Sequence, residues 1–275
     1  DEYDPDAMFK FGMTPAKDSD TGRYGFKNEA GEWVIEPQFY MAREFQMNGT
    51  AFARIGTNSD LYNLINRDGE LVCDYLFMRC TTSDPYFSLN GIAAGKIFDA
   101  DGEEVGIGYF YLENDEIQLE LVDADSISNF SDDGYAVVDG SRVIDSDFET
   151  VLEAPENIYI MSVQNGMISY RNDDTDMYGY MDLEGNFVGE TSSYSVSPFA
   201  DNGFAIVGNQ IVDRNFNVVA SLEGTGYSTI TNNFLTTDWV EVSAHLTNRG
   251  GTDFNFMNEA GELFFPVSAY EHSHS

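Results

Sequence analysis

The sequence predicts an all-β fold, a seven-unit ring of hairpin repeats built like a β-propeller, and three observations predict it. Asn28-Glu29-Ala30-Gly31-Glu32 returns near the end as Asn258-Glu259-Ala260-Gly261-Glu262, so one unit recurs along the chain. A second marker, Phe-x-x-x-Gly-x-Ala, occurs at Phe45/Gly49/Ala51, Phe87/Gly91/Ala93, Phe130/Gly134/Ala136 and Phe199/Gly203/Ala205, with a degenerate form at Asn165-Gly166-Met167-Ile168. Between the markers lies a turn of the form Asn/Asp-x-x-Gly/Phe: Asn28 to Gly31, Asn66 to Gly69, Asp99 to Gly102, Asp145 to Phe148, Asp182 to Gly185, Asp213 to Phe216 and Asn258 to Gly261. The last residues of successive turns fall 31 to 46 residues apart, the range of propeller blades and of some helical repeats.

Composition decides for strands. The segments flanking each turn alternate, or are rich in β-branched and aromatic residues, and are shorter than a helix of about ten residues. Thr50 to Ile55, Tyr62 to Ile65 and Glu70 to Cys73 are examples. Asn or Asp opening the turn bonds its own backbone, and Gly closing it takes positive φ without steric cost. Phe148 and Phe216 close two of the turns, and a bulky side chain is expected there to force a different turn type. Each unit then supplies about three strands, with a shorter fourth around the Phe-x-x-x-Gly segment.

Such small sheets cannot each bury a core alone, so they hide their faces against neighbours, and radial closure does this well. At 275 residues the chain suits a single repeat domain: residues 1–12 a lone first strand (Ala7 to Phe11) completing the last unit, 13–23 a linker, 24–266 the seven units and 267–275 a tail. An open β-solenoid, or a subunit lending its first strand to a neighbour, fits the same pattern. Gly106 to Ser128 is an enlarged third unit, and insertions in repeat proteins collect on a working face.

Thirteen Lys plus Arg against 48 Asp plus Glu give a formal charge of −35, which excludes nucleic acid and anionic membrane surfaces as partners. No apolar stretch is long enough to span a bilayer, so membrane insertion is not expected. The start at Asp1, without Met and followed by polar residues, is that of a chain whose signal peptide has been removed or whose ends were trimmed, and the expected location is secreted or cell surface. Cys73 and Cys80, the two cysteines, are the candidate disulfide in that setting.

Signals for catalysis are weak. The imidazoles are His245, His272 and His274, two of them in the last four residues, and no nucleophile elbow, phosphate loop or zinc spacing is present. With 48 acids, a pair at glycosidase separation carries no information. No cofactor is expected beyond calcium, for which Asp99 and Asp101 on a tight loop are the candidate ligands, although the full Asp-x-Asp-x-Asp-Gly pattern with its downstream Glu is incomplete. Tyr109 and Tyr111 stand in the enlarged unit as candidate sugar- or protein-binding aromatics, with Phe110 between them expected to be buried by strand alternation. The sequons Asn48-Gly49-Thr50 and Asn129-Phe130-Ser131 overlap the repeat marker and read as part of it.

With these motifs laid out, the first unit resembles the WG (KWG) repeat family. Tyr24-Gly25-Phe26, Asn28-x-x-Gly31, Val34-Ile35-x-Pro37-x-Phe39, Ala42, Phe45 and Gly49-x-Ala51 follow its pattern, Tyr178-Gly179-Tyr180-Met181-Asp182-x-x-Gly185 is similar, and the likeness extends to Phe254 to Pro266. It fades in the other units, where Tyr62-Asn63 lacks the Gly. The resemblance implies a bacterial, often exported, β-rich protein with a recognition or scaffold role, and it assigns no catalytic residue. The expected function is therefore a non-enzymatic module that binds protein or glycan through loops. The alternative is a structural subunit of an extracellular filament or layer, self-assembling by β-strand addition.

Overall fold

The computed structural model describes residues 8–57, 60–81, 83–230, 239–245 and 252–264. They form seven small antiparallel sheets that follow one another along the chain in the manner of propeller blades, and no α-helix. The first sheet holds β1 (Thr14–Lys17), β2 (Tyr24–Lys27) and β3 (Trp33–Phe39). The second holds β4 (Met41–Ala42), β5 (Ala51–Arg54) and β6 (Asn63–Ile65). The third has four strands, β7 (Leu76–Met78), β8 (Ile92–Phe98), β9 (Glu104–Glu113) and β10 (Glu116–Leu121). The fourth comprises β11 (Tyr135–Val138), β12 (Arg142–Asp145) and β13 (Thr150–Glu153). The fifth runs β14 (Ile158–Gln164), β15 (Met167–Asn172), β16 (Met177–Asp182) and β17 (Phe187–Thr191). The sixth is β18 (Ala205–Val207), β19 (Gln210–Val212) and β20 (Val218–Ser221), and the seventh β21 (Thr229–Ile230), β22 (Trp239–His245) and β23 (Thr252–Asn258). Single bridges Phe87↔Ala93, Ile127↔Val138 and Val196↔Val207 mark the short extra strand expected beside the markers. Where one domain is expected, the chain divides into two compact units, 1–139 and 140–275, with the boundary in the fourth repeat.

One turn chemistry shapes both motifs. In the Asn/Asp turns the first residue's N–H donates to the carbonyl of the fifth and its carbonyl accepts from the N–H of the fourth, as between the Asp182 N–H and the Asn186 carbonyl and between the Gly185 N–H and the Asp182 carbonyl, both 3.1 Å. The Asp182 Oδ1 also accepts the N–H groups of Glu184 and Asn186, each at 2.9 Å. Asn66, Asp99, Asp145, Asp213 and Asn258 repeat the pair of contacts. This is the three-residue hairpin loop with a bulge, whose closing residue must be left-handed. The Phe-x-x-x-Gly marker is the same loop one residue on, at Gln46–Gly49, Ser88–Gly91, Ser131–Gly134 and Ala200–Gly203.

Phe148 and Phe216 correct the expected exception. Both adopt the left-handed conformation of the glycines, at φ 64° and 63°, and their turns keep the same hydrogen bonds. That conformation costs a non-glycine residue about 1–2 kcal/mol, so another contact must offset it. For Phe216 the contact is visible: a Cβ placed on Gly189, in β17 of the preceding sheet, would lie 2.4 Å from the Phe216 ring. The closing residues of other turns reach back likewise. A Cβ on Gly69 would meet Ile35 of β3 at 2.8 Å, one on Gly185 would meet Leu152 of β13 at 3.2 Å, and one on Gly261 would meet Ala220 of β20 at 3.5 Å.

Strand alternation places successive side chains against different neighbours. In β5, Ala51 and Ala53 join a core with Phe45 and the first sheet (Phe26, Ile35, Phe39), while Phe52 between them joins one with the third sheet (Phe77, Ile97, Phe110). In β18, Ala205 and Val207 face the fifth sheet and Ile206 the seventh. The marker Phe packs on an aromatic ring of the sheet before it, with ring centroids 4.7 Å apart for Phe45 and Phe26, 4.9 Å for Phe130 and Tyr109, and 4.8 Å for Phe199 and Tyr180. Each receiving ring follows a glycine, and Gly25, Gly108 and Gly179 are required by crowding. A Cβ on any of them would sit 2.3 Å from a carbonyl oxygen of the adjacent strand, that of Ile35, Glu120 or Gly189.

The N-terminal expectations are corrected. Thr14–Lys17, taken as linker, is β1 and pairs with β2 from Thr14↔Lys27 to Lys17↔Tyr24, so the first sheet is completed locally. Of the lone strand expected over Ala7 to Phe11, residue 7 lies outside the described residues. The remainder leads into a 3-10 turn, Lys10–Gly12, with Phe11 at φ 56°. Phe11 packs edge-on against Phe45 at 6.5 Å, and Lys10 pairs with Glu44 at 3.2 Å. The tail at 267–275 also lies outside the described residues. The enlarged third unit is a longer hairpin, β9 and β10, closed by Asn114 and Asp115 at φ 52° and 65°.

The turn acids carry a pH signature. The Asp182 carboxyl is held below its ordinary 3.8, first by the Asn186 side-chain amide, and the Asp213 carboxyl likewise, first by that of Asn217. A carboxylate whose folded pKa is depressed adds stability that is full above the unfolded value and is lost as pH falls through the folded one. Replacing both by Asn keeps the Oδ1 acceptor, as at Asn66, and removes the ionisation. In urea titrations from neutral pH to below 3.8, Asp182→Asn/Asp213→Asn is expected to fold at neutral pH and lose less stability than the parent on acidification. An equal loss in both chains would show that the turn carboxylates do not contribute.

Candidate functional site

The sequence-predicted site residues do not assemble into a site. Tyr109 is fully buried, its hydroxyl donates to the Ser128 carbonyl at 3.2 Å, and its ring receives Phe130. It is a core residue because it occupies the position of Tyr180, which likewise follows a glycine, donates to the Ser197 carbonyl at 2.7 Å and receives Phe199. The recurrence Gly108-Tyr109 and Gly179-Tyr180 is the signal that identifies it. Tyr111 is half-buried two residues along β9, and Phe110 is fully buried as expected. Asp99 Oδ1 accepts the N–H of Asp101 at 3.0 Å and of Glu103 at 2.9 Å, so Asp99 shapes its turn, with Asp101 on the exposed tip. No group of three or more His, Cys, Asp or Glu is placed to hold a metal among the described residues. Asn48 also serves its loop, its Oδ1 accepting from the Thr50 N–H and hydroxyl at 3.1 and 2.8 Å.

Cys73 and Cys80 are free thiols, which corrects the expected disulfide. Cys73 joins the core between the second and third sheets, with Sγ 3.9 Å from the Tyr75 carbonyl, and Cys80 Sγ is 3.8 Å from the Ile127 carbonyl. Burial pushes both thiols up, Cys80 to about 11 despite the nearby Lys96.

Cys80 also lines a cavity of about 330 Å³, built on the second and third sheets, that sequence reasoning missed. Its walls include Arg54 at the end of β5, Asp60, Tyr62 just before β6, Arg79 and Thr81 after β7, and Lys96 in β8. The strands are close here because the Tyr62↔Phe77 bridge stitches the two sheets together, with reciprocal N–H to carbonyl bonds of 2.8 Å. Tyr62 is 1% exposed and anchors the cations. Arg54 Nη2 donates to its hydroxyl at 2.7 Å, and the guanidinium lies over its ring at 4.3 Å. Arg43 donates to the same hydroxyl at 3.5 Å and to Asp84, another wall residue. Arg43 is raised above its ordinary value, first by the Tyr62 hydroxyl. The Arg54 Nε is enclosed and has no hydrogen-bond partner among the described residues. Three of the chain's 13 Lys and Arg therefore line one cavity of a chain with 48 acids, and Arg43 braces its wall residues Tyr62 and Asp84. Nothing in the linear sequence announces this, because the three come from separate segments.

A second cavity, about 670 Å³, is lined by Thr191, Ser193, Asn209, Gln210, Glu223 and Tyr227 among others, and holds no Lys or Arg. It is polar, and Glu223 is the one charged residue of its lining, so no cluster of charges converges on it as at the first.

The family model that matches is that of the WG containing repeat, over residues 24–57. The matched stretch runs from the Tyr24-Gly25-Phe26 strand through the first turn to β5, whose last residue is Arg54. No curated protein matches the chain. Among solved structures, the chain is similar to a eukaryotic initiation factor (10% identity, TM-score 0.45, covering 98% of this chain and 86% of that one). It is also similar to a protein of unknown function from Bacteroides caccae (12% identity, TM-score 0.30, 91% and 90%) and to an acylaminoacyl peptidase from Pyrococcus horikoshii (10% identity, TM-score 0.29, 93% and 50%).

A test of the site chemistry follows from the thiols. With Cys80 at about 11 against an ordinary 9.0, its thiolate fraction near pH 8 falls by about a hundredfold. Iodoacetamide labelling with peptide mapping is expected to modify Cys80 of the folded chain slowly, and both cysteines rapidly once the chain is unfolded in denaturant without reductant. A linked Cys73–Cys80 peptide would contradict the free-thiol assignment.

Proposed function

We propose that the chain is a non-enzymatic recognition module, secreted or displayed at the cell surface, that binds a glycan or protein ligand through the basic cavity of its second and third sheets. The observation that carries this reading is the concentration of Arg54, Arg79 and Lys96 around a cavity in a chain of formal charge −35. Clustered like charges cost free energy unless a ligand or an acid neutralises them, and a concave polar pocket with convergent donors is the usual form of a small-ligand site. The thiol lining the cavity, that of Cys80, is held protonated at neutral pH by burial, which outweighs the Lys96 charge, and this disfavours thiolate chemistry there. The extracellular location is supported by acidity, since dispersed Asp and Glu keep a chain soluble in salt. The filament reading depended on a free first strand, and the contacts of Phe11 with Phe45 and of Lys10 with Glu44 leave it without that support.

The test is to pass the purified chain over glycan and extracellular-protein arrays and recover the bound ligand for mass spectrometry. Saturable binding with the ligand recovered unchanged is expected. A ligand returned cleaved or modified would overturn the non-enzymatic part, and no saturable binding on either array would overturn recognition.

A further inference from the structure

We propose that the cavity lined by Arg54, Tyr62, Arg79 and Lys96 takes one carboxylate-bearing sugar of an acidic glycan, an inference that rests on the recognition reading above and names its ligand. Three features define the ligand. The first is a need for negative charge: Arg79 and Lys96 line the cavity and form no salt bridge among the described residues. The Arg54 guanidinium is fixed against Tyr62 with its Nε unsatisfied. A planar guanidinium immobilised by stacking and by one hydrogen bond is prearranged for an oxyanion and loses little freedom on binding it.

The second feature limits that charge. Asp60 and Asp84 stand on the same walls, and the chain as a whole is strongly negative, so a densely anionic partner such as an acidic peptide or nucleic acid meets repulsion beyond the pocket. A ligand with one charge and many neutral polar groups does not. The third is hydroxyl chemistry. Asp60, Asp84 and the Thr81 hydroxyl can accept hydrogen bonds from a polyol beside the cations that hold its carboxylate. A cavity of about 330 Å³ lies at the small end of ligand pockets, suited to a single ring rather than a long segment. Cations and hydroxyl acceptors together fit a uronic acid residue better than a neutral sugar or a peptide.

The probes are a galacturonic acid trisaccharide, its methyl ester, the neutral galactose trisaccharide and a Glu-rich peptide, titrated calorimetrically into the full chain. The acid is expected to bind at least about tenfold more tightly than the ester or the neutral sugar, with the advantage shrinking as salt rises from about 50 to about 500 mM. Arg79→Ala and Lys96→Ala, at partly or fully exposed positions, are expected to weaken the acid by about five- to tenfold each while leaving the thermal midpoint unchanged. Lys96→Glu should abolish binding. Equal binding of acid and ester, tighter binding of the peptide, no binding of the acid, or unaltered affinity in the folded variants would each overturn the proposal. An array ligand that binds the parent and Lys96→Glu equally would sink this pocket assignment and leave only a recognition module that binds through another surface.

Discussion

The structure depends on one constraint: no sheet has enough apolar surface of its own, so each must seat residues in the sheet before it. Two contacts do this. At Phe45, Phe130 and Phe199 the marker Phe lies within 4.9 Å of a ring that follows a glycine, and Phe87 stacks on Phe52 at 5.7 Å. At Gly69, Gly185, Phe216 and Gly261 the closing residue of the turn reaches the outer strand of the preceding sheet, as Phe216 does on Gly189. Aromatic pairs of this geometry add about 0.5–1.5 kcal/mol beyond the area they bury, which is comparable to the cost of holding Phe216 left-handed. A strained conformation therefore persists because it aims a ring at a neighbour.

Much of this was legible. Asn and Asp at the turn starts and Gly at most turn ends report backbone requirements that no tertiary context changes, so the seven hairpins and the all-β class follow from them. What failed, failed where packing overrode a local rule. Phe148 and Phe216 break the glycine preference, yet their turns are unchanged. Tyr109 looked like a surface aromatic because it stands in an enlarged unit. Its strand is central, however, and covered on both faces, by Phe130 on one and through Phe110 by Phe52 and Phe77 on the other. Thr14–Lys17 has no repeat marker, and only its ladder with β2 makes it a strand.

The candidate site was illegible for a related reason. Arg54, Arg79 and Lys96 lie on three separate segments, and the stitch between Tyr62 and Phe77 joins the two sheets that bring them to one cavity. Tyr62 is the pivot. In the fourth and sixth repeats Ser128 and Ser197, two residues before the marker Phe, satisfy the next strand by accepting the N–H of Val137 and Ile206 at 2.8 Å. In the second repeat that position is Arg43, which turns to the Tyr62 hydroxyl instead. A structural position of the repeat has thus been given a charge, and the departure from the pattern marks the place where the repeat differs in what it can bind.

The most direct test of the interlocked-sheet account is a double-mutant cycle between Gly189 and Phe216, read by equilibrium urea unfolding. Gly189→Ala inserts a Cβ 2.4 Å from the Phe216 ring and is expected to destabilise by about 1–3 kcal/mol. Phe216→Gly removes both the ring and the left-handed strain. In that background Gly189→Ala is expected to cost almost nothing, a coupling of about 1 kcal/mol or more. Additive effects of the two substitutions would show that the turn does not seat on the preceding sheet and would contradict the account.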